Sequence, residues 1–355
     1  MSFFSDILSS LFDRKLGLDN RVEDDNKPIE DLCQALLSSR GDVSGMFLAQ
    51  LILDRYADLN DDDKLAWFLL LANDMDVPAE VAIAAIKAYQ DAPSAKNYEA
   101  MTAAVEPARL QLIRRLNQTH DATAKLVAMR EDLIRFLPEH PDLGKLNVNF
   151  KHLFASWFNR GFLVLRPINW SSPAHILEKI ITYESVHEIE NWDDLRRRLQ
   201  PEDRRCFAFF HPAMPDEPLI FVEVALTKGT PNSIQRDLLE NRDAMAAEKG
   251  DTAAFYSISN CQAGLAGISF GNSLIKTVVQ HLLRELPQIH NFVTLSPIPG
   301  LVKWLRETGN FDADATAETH MQLAAHYLLN AKHHRGQPHD PVARFHLNNG
   351  ALVGA

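Results

Sequence analysis

Three short segments of this sequence hold residues whose types and spacing could do chemistry. The first runs Gln262-Ala263-Gly264-Leu265-Ala266-Gly267-Ile268-Ser269-Phe270-Gly271-Asn272, between a strand-like and a helix-like run. Glycine lets a backbone approach a ligand closely, and the helix start that follows offers free N–H groups and the positive end of a dipole. A pyrophosphate needs that environment, although a purely structural turn uses the same residues. Within the stretch, Gly267-Ile268-Ser269-Phe270-Gly271 matches G-x-S-x-G, and Ser269, Asp340 and His346 would fill a Ser…Asp…His order. A nucleophile elbow follows its strand directly, however, whereas here the strand-like run ends near Ser259. That spacing argues against hydrolase chemistry.

The second segment, Leu295-Ser296-Pro297-Ile298-Pro299-Gly300, follows an apolar strand-like run. Two prolines and a glycine restrict the backbone, so the Ser296 hydroxyl is held in one direction. That is what orienting a reacting carboxylate requires, and also what a helix-capping serine looks like. The third is His346 in Arg344-Phe345-His346-Leu347-Asn348-Asn349-Gly350. An imidazole titrates nearest neutrality and can hand over a proton; set among apolar neighbours, it also reads as a structural histidine.

Other reactive side chains carry less. Cys33, Cys206 and Cys261 are odd in number and widely spaced, with no CxxC pair, so they read as buried thiols in a reducing compartment. His333, His334 and His339 cluster without a convincing partner set for a metal and read as a solvated loop. Phe3, Phe4, Ile7, Leu8, Leu11 and Phe12 recur at helical spacing beside Asp6 and Asp13, which predicts a short amphipathic helix rather than a transit peptide or secretory signal. The formal net charge of −11 argues against nonspecific nucleic-acid binding. A local set of backbone amides still binds phosphate on an acidic protein. No run of about 18 uncharged apolar residues predicts a membrane span.

These groups need elements to position them, and 355 residues suffice for two domains. Residues 1 to about 152 show apolar side chains at three- and four-residue spacing, as in Leu32, Leu36 and Leu37, Met46 to Leu53, Trp67 to Leu71, Val81 to Ala88 and Leu126 to Leu137. Asp61-Asp62-Asp63 marks a helix start, and Pro78, Pro93 and Pro107 punctuate connections. This half predicts a helical domain, residues 1–152, serving assembly or support. From Leu153 onward the texture changes. Strand-like runs at Phe162 to Leu165, Cys206 to Phe210, Leu219 to Leu226, Phe255 to Ile258 and Phe292 to Leu295 mix with helix-like ones at Ser273 to Leu286, Leu301 to Glu307 and Glu318 to Asn330. Val342 to Leu347 reads as a last strand. The order predicts an α/β or α+β domain over residues 153–355.

Several longer stretches resemble one family: Ala155-Ser156-Trp157-Phe158 with Gly161-Phe162-Leu163, Glu188-Ile189-Glu190-Asn191-Trp192-Asp193-Asp194-Leu195, His211-Pro212 with Glu217-Pro218-Leu219, and Phe255-Tyr256-Ser257-Ile258-Ser259. Leu295 to Gly300 and Phe345-His346-Leu347 with Asn349-Gly350-Ala351 complete the set. On these stretches the sequence resembles the malonyl-CoA decarboxylase family, from about residue 110 to the end and more weakly through the N-terminal helices. The resemblance implies an α+β protein: an all-helical N-terminal domain, then a Gcn5-related acetyltransferase-like mixed sheet flanked by helices. It implies decarboxylation of malonyl-CoA to acetyl-CoA and CO2, with Ser296 and His346 as the catalytic pair. It places coenzyme A on Ala266, Gly267, Ile268, Ser269, Phe270, Gly271 and Asn272, with no metal and no separate cofactor. Acetyltransferases usually begin this loop with Gln or Arg and then two spaced glycines; here Ala266 and Ser269 stand at the basic or amide position and at the first glycine. The competing expectation on the same fold is an acyl-CoA-dependent N-acyltransferase, and a third is a non-catalytic acyl-CoA-binding protein. A homotetramer through the helical domain and a cytoplasmic location are expected as well. The C-terminal Leu352-Val353-Gly354-Ala355 is not a peroxisomal address, and the resemblance implies further strand and helix beyond the His346 segment, where this chain stops at Ala355.

Overall fold

The computed structural model describes residues 27–38, 42–231, 233, 243–268, 271–333 and 336–352, with the side chains of residues 42–43 and 271–273 outside that description. The amphipathic helix expected over residues 3–12 lies outside the described residues. The chain divides into two compact units: Met1–Trp157 with Ala263–Ile268, and Phe158–Gln262 with Ser269–Ala355. The change of unit falls at Trp157 rather than at Leu153, because the helix that buries Leu153 continues to Trp157. The return of Ala263–Ile268 to the first unit has no trace in the linear sequence.

The first unit is helical: α1 Ile29–Ser38, α2 Asp42–Ala57, α3 Asp61–Asn73, α4 Ala79–Asp91, α5 Ala95–Ala104, α6 Ala108–Leu116, α7 Ala122–Phe136 and α8 Gly144–Trp157. Helix α3 begins where the acidic run predicts, with Asn60 as its cap: the Asn60 side chain accepts from the Asp63 amide at 3.0 Å. The core is built from Leu32, Ile52, Phe68, Leu71, Ile113, Leu126, Leu133, Leu146 and Phe154, all fully buried. Each such side chain contributes roughly 1.5–3 kcal/mol relative to exposure, so the stripes rather than intrinsic propensity hold these helices.

The second unit carries one five-stranded sheet in the order β1-β2-β3-β4-β5: β1 Val164–Ile168, β2 Arg204–His211, β3 Met214–Thr227, β4 Thr252–Asn260 and β5 Asn291–Thr294. The first three pairings are antiparallel, and β4 with β5 is parallel. Helices α9 Ala174–Tyr183 and α10 Trp192–Leu199 bury Ile176, Leu177, Ile180, Leu195 and Leu199 against Cys206, Ala208, Phe210 and Phe221. The alternate β2 residue Phe207 packs instead on His281 of α11 Gly271–Glu285, whose Leu274, Val278 and Leu282 are fully buried at four-residue spacing. Both faces of β2 and β3 are therefore covered, which is why Leu219 to Leu226 is almost all apolar, with Glu223 as the exception. The expected α+β arrangement, a helical region followed by a mixed sheet with flanking helices, is the one observed.

One expected strand is not a strand. Val342 to Leu347 lies in α14 Pro341–Asn348, which follows α12 Leu301–Glu307 and α13 Ala317–Asn330. Asp340 caps it, its Oδ1 accepting from the amides of Val342 and Ala343 at 2.9 Å each, and Pro341 takes the first helical position. This Asp-Pro start outweighs the alternating, strand-like pattern of the six residues Val342 to Leu347.

Candidate active site

Strand β5 pairs with β4 from Asn291↔Thr252 to Thr294↔Phe255, and the Leu295 amide makes one further bond to the Phe255 carbonyl at 2.9 Å. There the strands part: β4 continues to Asn260, whereas the chain beyond Leu295 turns through Ser296-Pro297-Ile298-Pro299. Among the described residues, the β5-facing edge of β4 beyond Phe255 has no strand partner. At the same level β4 is irregular. Glu223 pairs with Ser257 and Val224 with Phe255, so Tyr256 is an extra residue, the mark of a β-bulge.

Ser296 stands at this divergence, exposed, with its Oγ 2.9 Å from Nε2 of His346, which is 9% exposed. Fifty residues of sequence separate them, and two devices set the approach. Gly300 comes so close to the buried Tyr327 that a Cβ added there would sit 2.2 Å from the phenolic oxygen. Tyr327 is itself held against Trp304, at 5.2 Å between ring centroids, and lies 3.1 Å from His339 Nδ1. Asp340, besides capping α14, accepts from the Gly300 amide through Oδ2 at 3.4 Å. The Ser296 turn and the His346 helix are thus registered on the same tyrosine and the same carboxylate.

Burial pulls the His346 pKa below its ordinary value. No carboxylate pairs with it among the described residues, so the arrangement is a Ser–His pair without an acidic third member. Asp340, the candidate acid of a hydrolase order, is engaged in capping instead. Ser269 and Phe270 lie outside the described residues. Ala266, Gly267 and Ile268 belong to the turn of the first unit, and Gly271 and Asn272 open α11. His339 bonds Tyr327, and no group of three His, Cys, Asp or Glu side chains among the described residues could hold a metal. The thiols of Cys33, Cys206 and Cys261 are buried, as expected.

A second polar cluster escaped the sequence reading. Ser257 Oγ lies 2.8 and 2.7 Å from the two oxygens of Glu184 and donates to them, and Ser259 Oγ lies 3.3 Å from the second. The amides of Val186 and His187 donate to the same carboxylate at 2.8 and 2.7 Å. This buried net ties the loop after α9 to the part of β4 that β5 has left. The alternation of Ser257 and Ser259 in an otherwise apolar strand was its one visible sign; Glu184 gave none.

Residues 161–320 and 307–354 match the model of the malonyl-CoA decarboxylase C-terminal domain, and residues 77–158 that of its N-terminal domain. Mitochondrial malonyl-CoA decarboxylase of the goose Anser anser anser is 38% identical over 291 residues, covering 68% of this chain and 57% of the goose protein. The mouse protein is 35% identical over 301 residues, covering 70% and 61%. The chain spans about three fifths of the length of these curated relatives. The crystal structure of malonyl-CoA decarboxylase from Rhodopseudomonas palustris superposes with a TM-score of 0.85 at 49% identity, over 92% of this chain and 86% of that one. That from Agrobacterium vitis gives 0.85 at 48%, over 91% and 85%. On both its domains, the chain belongs to the malonyl-CoA decarboxylase family.

Proposed function

We propose that the chain decarboxylates malonyl-CoA to acetyl-CoA and CO2, with Ser296 and His346 as its catalytic pair. The observation that carries this reading is the 2.9 Å contact between Ser296 Oγ and His346 Nε2 where β5 leaves β4. Loss of CO2 leaves the enolate of a thioester, whose carbonyl delocalises the charge, so neither a metal nor an organic cofactor is required in principle. The protein must hold the carboxylate so that the breaking C–C bond aligns with the carbonyl π system, stabilise the enolate oxygen and deliver one proton to carbon 2.

In this scheme the Ser296 hydroxyl donates to the malonyl carboxylate and fixes its orientation. Backbone amides of the unpaired β4 edge, within Phe255 to Ser259, serve the thioester oxygen. His346 enters the reaction neutral, because burial lowers its pKa. A carboxylate arriving beside it favours the protonated form, so the imidazole takes up a proton on binding. It returns that proton to carbon 2, directly or through an ordered water, as CO2 departs. The coenzyme A pyrophosphate is assigned to the loop of residues 266–272. Exposed Val81, Ile83 and Ile86 on α4 and Tyr98 on α5 favour a homo-oligomer, with a tetramer expected by light scattering. A cytoplasmic location is part of the same proposal.

The test is product formation from malonyl-CoA, with and without an amine, read by mass spectrometry. Ser296→Ala and His346→Asn are each expected to lose roughly 10²–10⁴-fold in kcat. Full activity in both variants ends the assignment, and an amide product in place of acetyl-CoA makes the chain an N-acyltransferase.

A further inference from the structure

The turn of residues 263–268 packs on α7 and α8, and a buried cation lies beneath it. Arg130 of α7 is 1% exposed, and its guanidinium donates to the carbonyls of Gly264 at 2.5 Å and Ala266 at 2.8 Å and to Asn147 Oδ1 at 3.0 Å. All three acceptors are neutral. No carboxylate pairs with Arg130 among the described residues, and desolvation alone pulls its pKa down to about 10. A buried charge without a counter-charge is costly, so its position calls for a reason.

The turn supplies one. The carbonyls of Ala263 and Leu265 accept from the amides of Ala266 and Ile268 at 3.0 Å each, which with the two Arg130 bonds engages four successive carbonyls. In a trans peptide the N–H points opposite to its C=O. Carbonyls of Gly264 and Ala266 aimed at Arg130 therefore turn the Leu265 and Gly267 amides away from it, as donors. Gly264 sits hard against α7, where a Cβ would lie 2.0 Å from the Val127 carbonyl oxygen. Gly267 has a φ of +76°, and a Cβ on it would lie 3.5 Å from the amino group of Lys151 on α8. Lys151 is exposed and makes no ion pair among the described residues.

We propose that Lys151 binds the pyrophosphate of coenzyme A beside the Gly267 amide, and that Arg130 positions the turn from below. This rests on the reading that the chain binds malonyl-CoA. Arg130 adds a positive field at a face where only acceptors have been turned inward, and Lys151 supplies the contacting charge.

The experiment compares wild type, Lys151→Ala and Lys151→Arg in the full-length chain. A charge-assisted hydrogen bond at an accessible site corresponds to roughly tenfold in binding. Lys151→Ala is expected to raise the KM for malonyl-CoA about that much, in KM rather than kcat, and Lys151→Arg to recover most of it. The loss on malonyl-CoA should exceed the change on malonyl-pantetheine, which has no phosphate, by a similar factor. Calorimetry with coenzyme A and with dephospho-coenzyme A, which keeps the pyrophosphate, should show the same weakening for both. An unchanged KM for malonyl-CoA, or equal losses with and without the pyrophosphate, overturns the proposal. A weakening confined to coenzyme A moves the contact to the 3′-phosphate and overturns it as stated. Calorimetry needs no turnover: a wild type that binds coenzyme A without releasing CO2 refutes the decarboxylase reading while the Lys151 effect is still measured.

Discussion

Replacing Gly300 by alanine adds one methyl group where the structure has no room for it. The new Cβ would lie 2.2 Å from the Tyr327 hydroxyl oxygen, about 1 Å inside an ordinary contact. Tyr327 has little means of retreat, being fully buried, packed on Trp304 and bonded to His339 Nδ1. The turn must move instead, away from Tyr327 and from Asp340, whose Oδ2 is 3.4 Å from the same Cβ position. The φ of Gly300 is −82°, a value alanine adopts freely, so the effect is steric and not one of backbone strain. A shift of about 1 Å carried to Ser296 lengthens its 2.9 Å contact with His346 beyond hydrogen-bonding range. Overpacking of this kind costs about 1–3 kcal/mol in stability. A displacement of about 1 Å in a reacting group costs on the order of 100-fold in rate, so Gly300→Ala should remain folded and lose most of its kcat for CO2 release. The companion change Tyr327→Phe removes the oxygen and leaves Cζ at 3.3 Å as the nearest ring atom, so the double variant should recover much of the loss. Activity and thermal midpoint are measured together on the two single variants and the double. A Gly300→Ala protein with wild-type kcat, or a double variant no better than the single, refutes the argument.

Two further outcomes follow from buried ionisable groups. The imidazole of His346, followed by NMR in the free protein, should titrate below 6.5 because burial disfavours its charged form. The unfolded chain then binds the proton first, so acidification through 6.5 removes stability, and His346→Asn should reduce that drop; a midpoint at or above 6.5 contradicts this. In the same unit Arg198 donates to the fully buried Glu223 at 3.0 Å, and burial pushes the Glu223 carboxyl up to about 7. Arg198→Met strands that carboxylate at a cost of about 3–5 kcal/mol. A carboxyl with a raised folded-state pKa loses stability as pH rises through it, so the loss should be smaller at about pH 5.5 than at about pH 8 by urea denaturation. An equal loss at both pH values would show that Glu223 does not take up the proton.

Much of the molecule was legible in the order of its residues, for identifiable reasons. Period-four stripes such as Leu274, Val278 and Leu282 and the two-sided apolar run of β3 follow from burial, which acts on local pattern. Val342 to Leu347 reads as a strand in the sequence because six residues are too few for periodicity to separate helix from strand; the Asp340-Pro341 start holds the better information. Ser296 and His346 were singled out by their types and by resemblance, whereas spacing alone suggested no link between residues so far apart.

The sequence by itself determined the α+β class, because short-range pattern is a property of neighbours along the chain, and its longer matching stretches carried the resemblance to the family. Only the tertiary structure decided that Ser296 meets His346, that Tyr327 and Asp340 set that meeting through Gly300, and that Glu184 holds the serines of β4. It also returned residues 263–268 to the helical unit, above a buried Arg130 that bears no mark of its task in the sequence. Contacts of this kind depend on where distant segments are driven by the burial of other residues, and no local spacing records them.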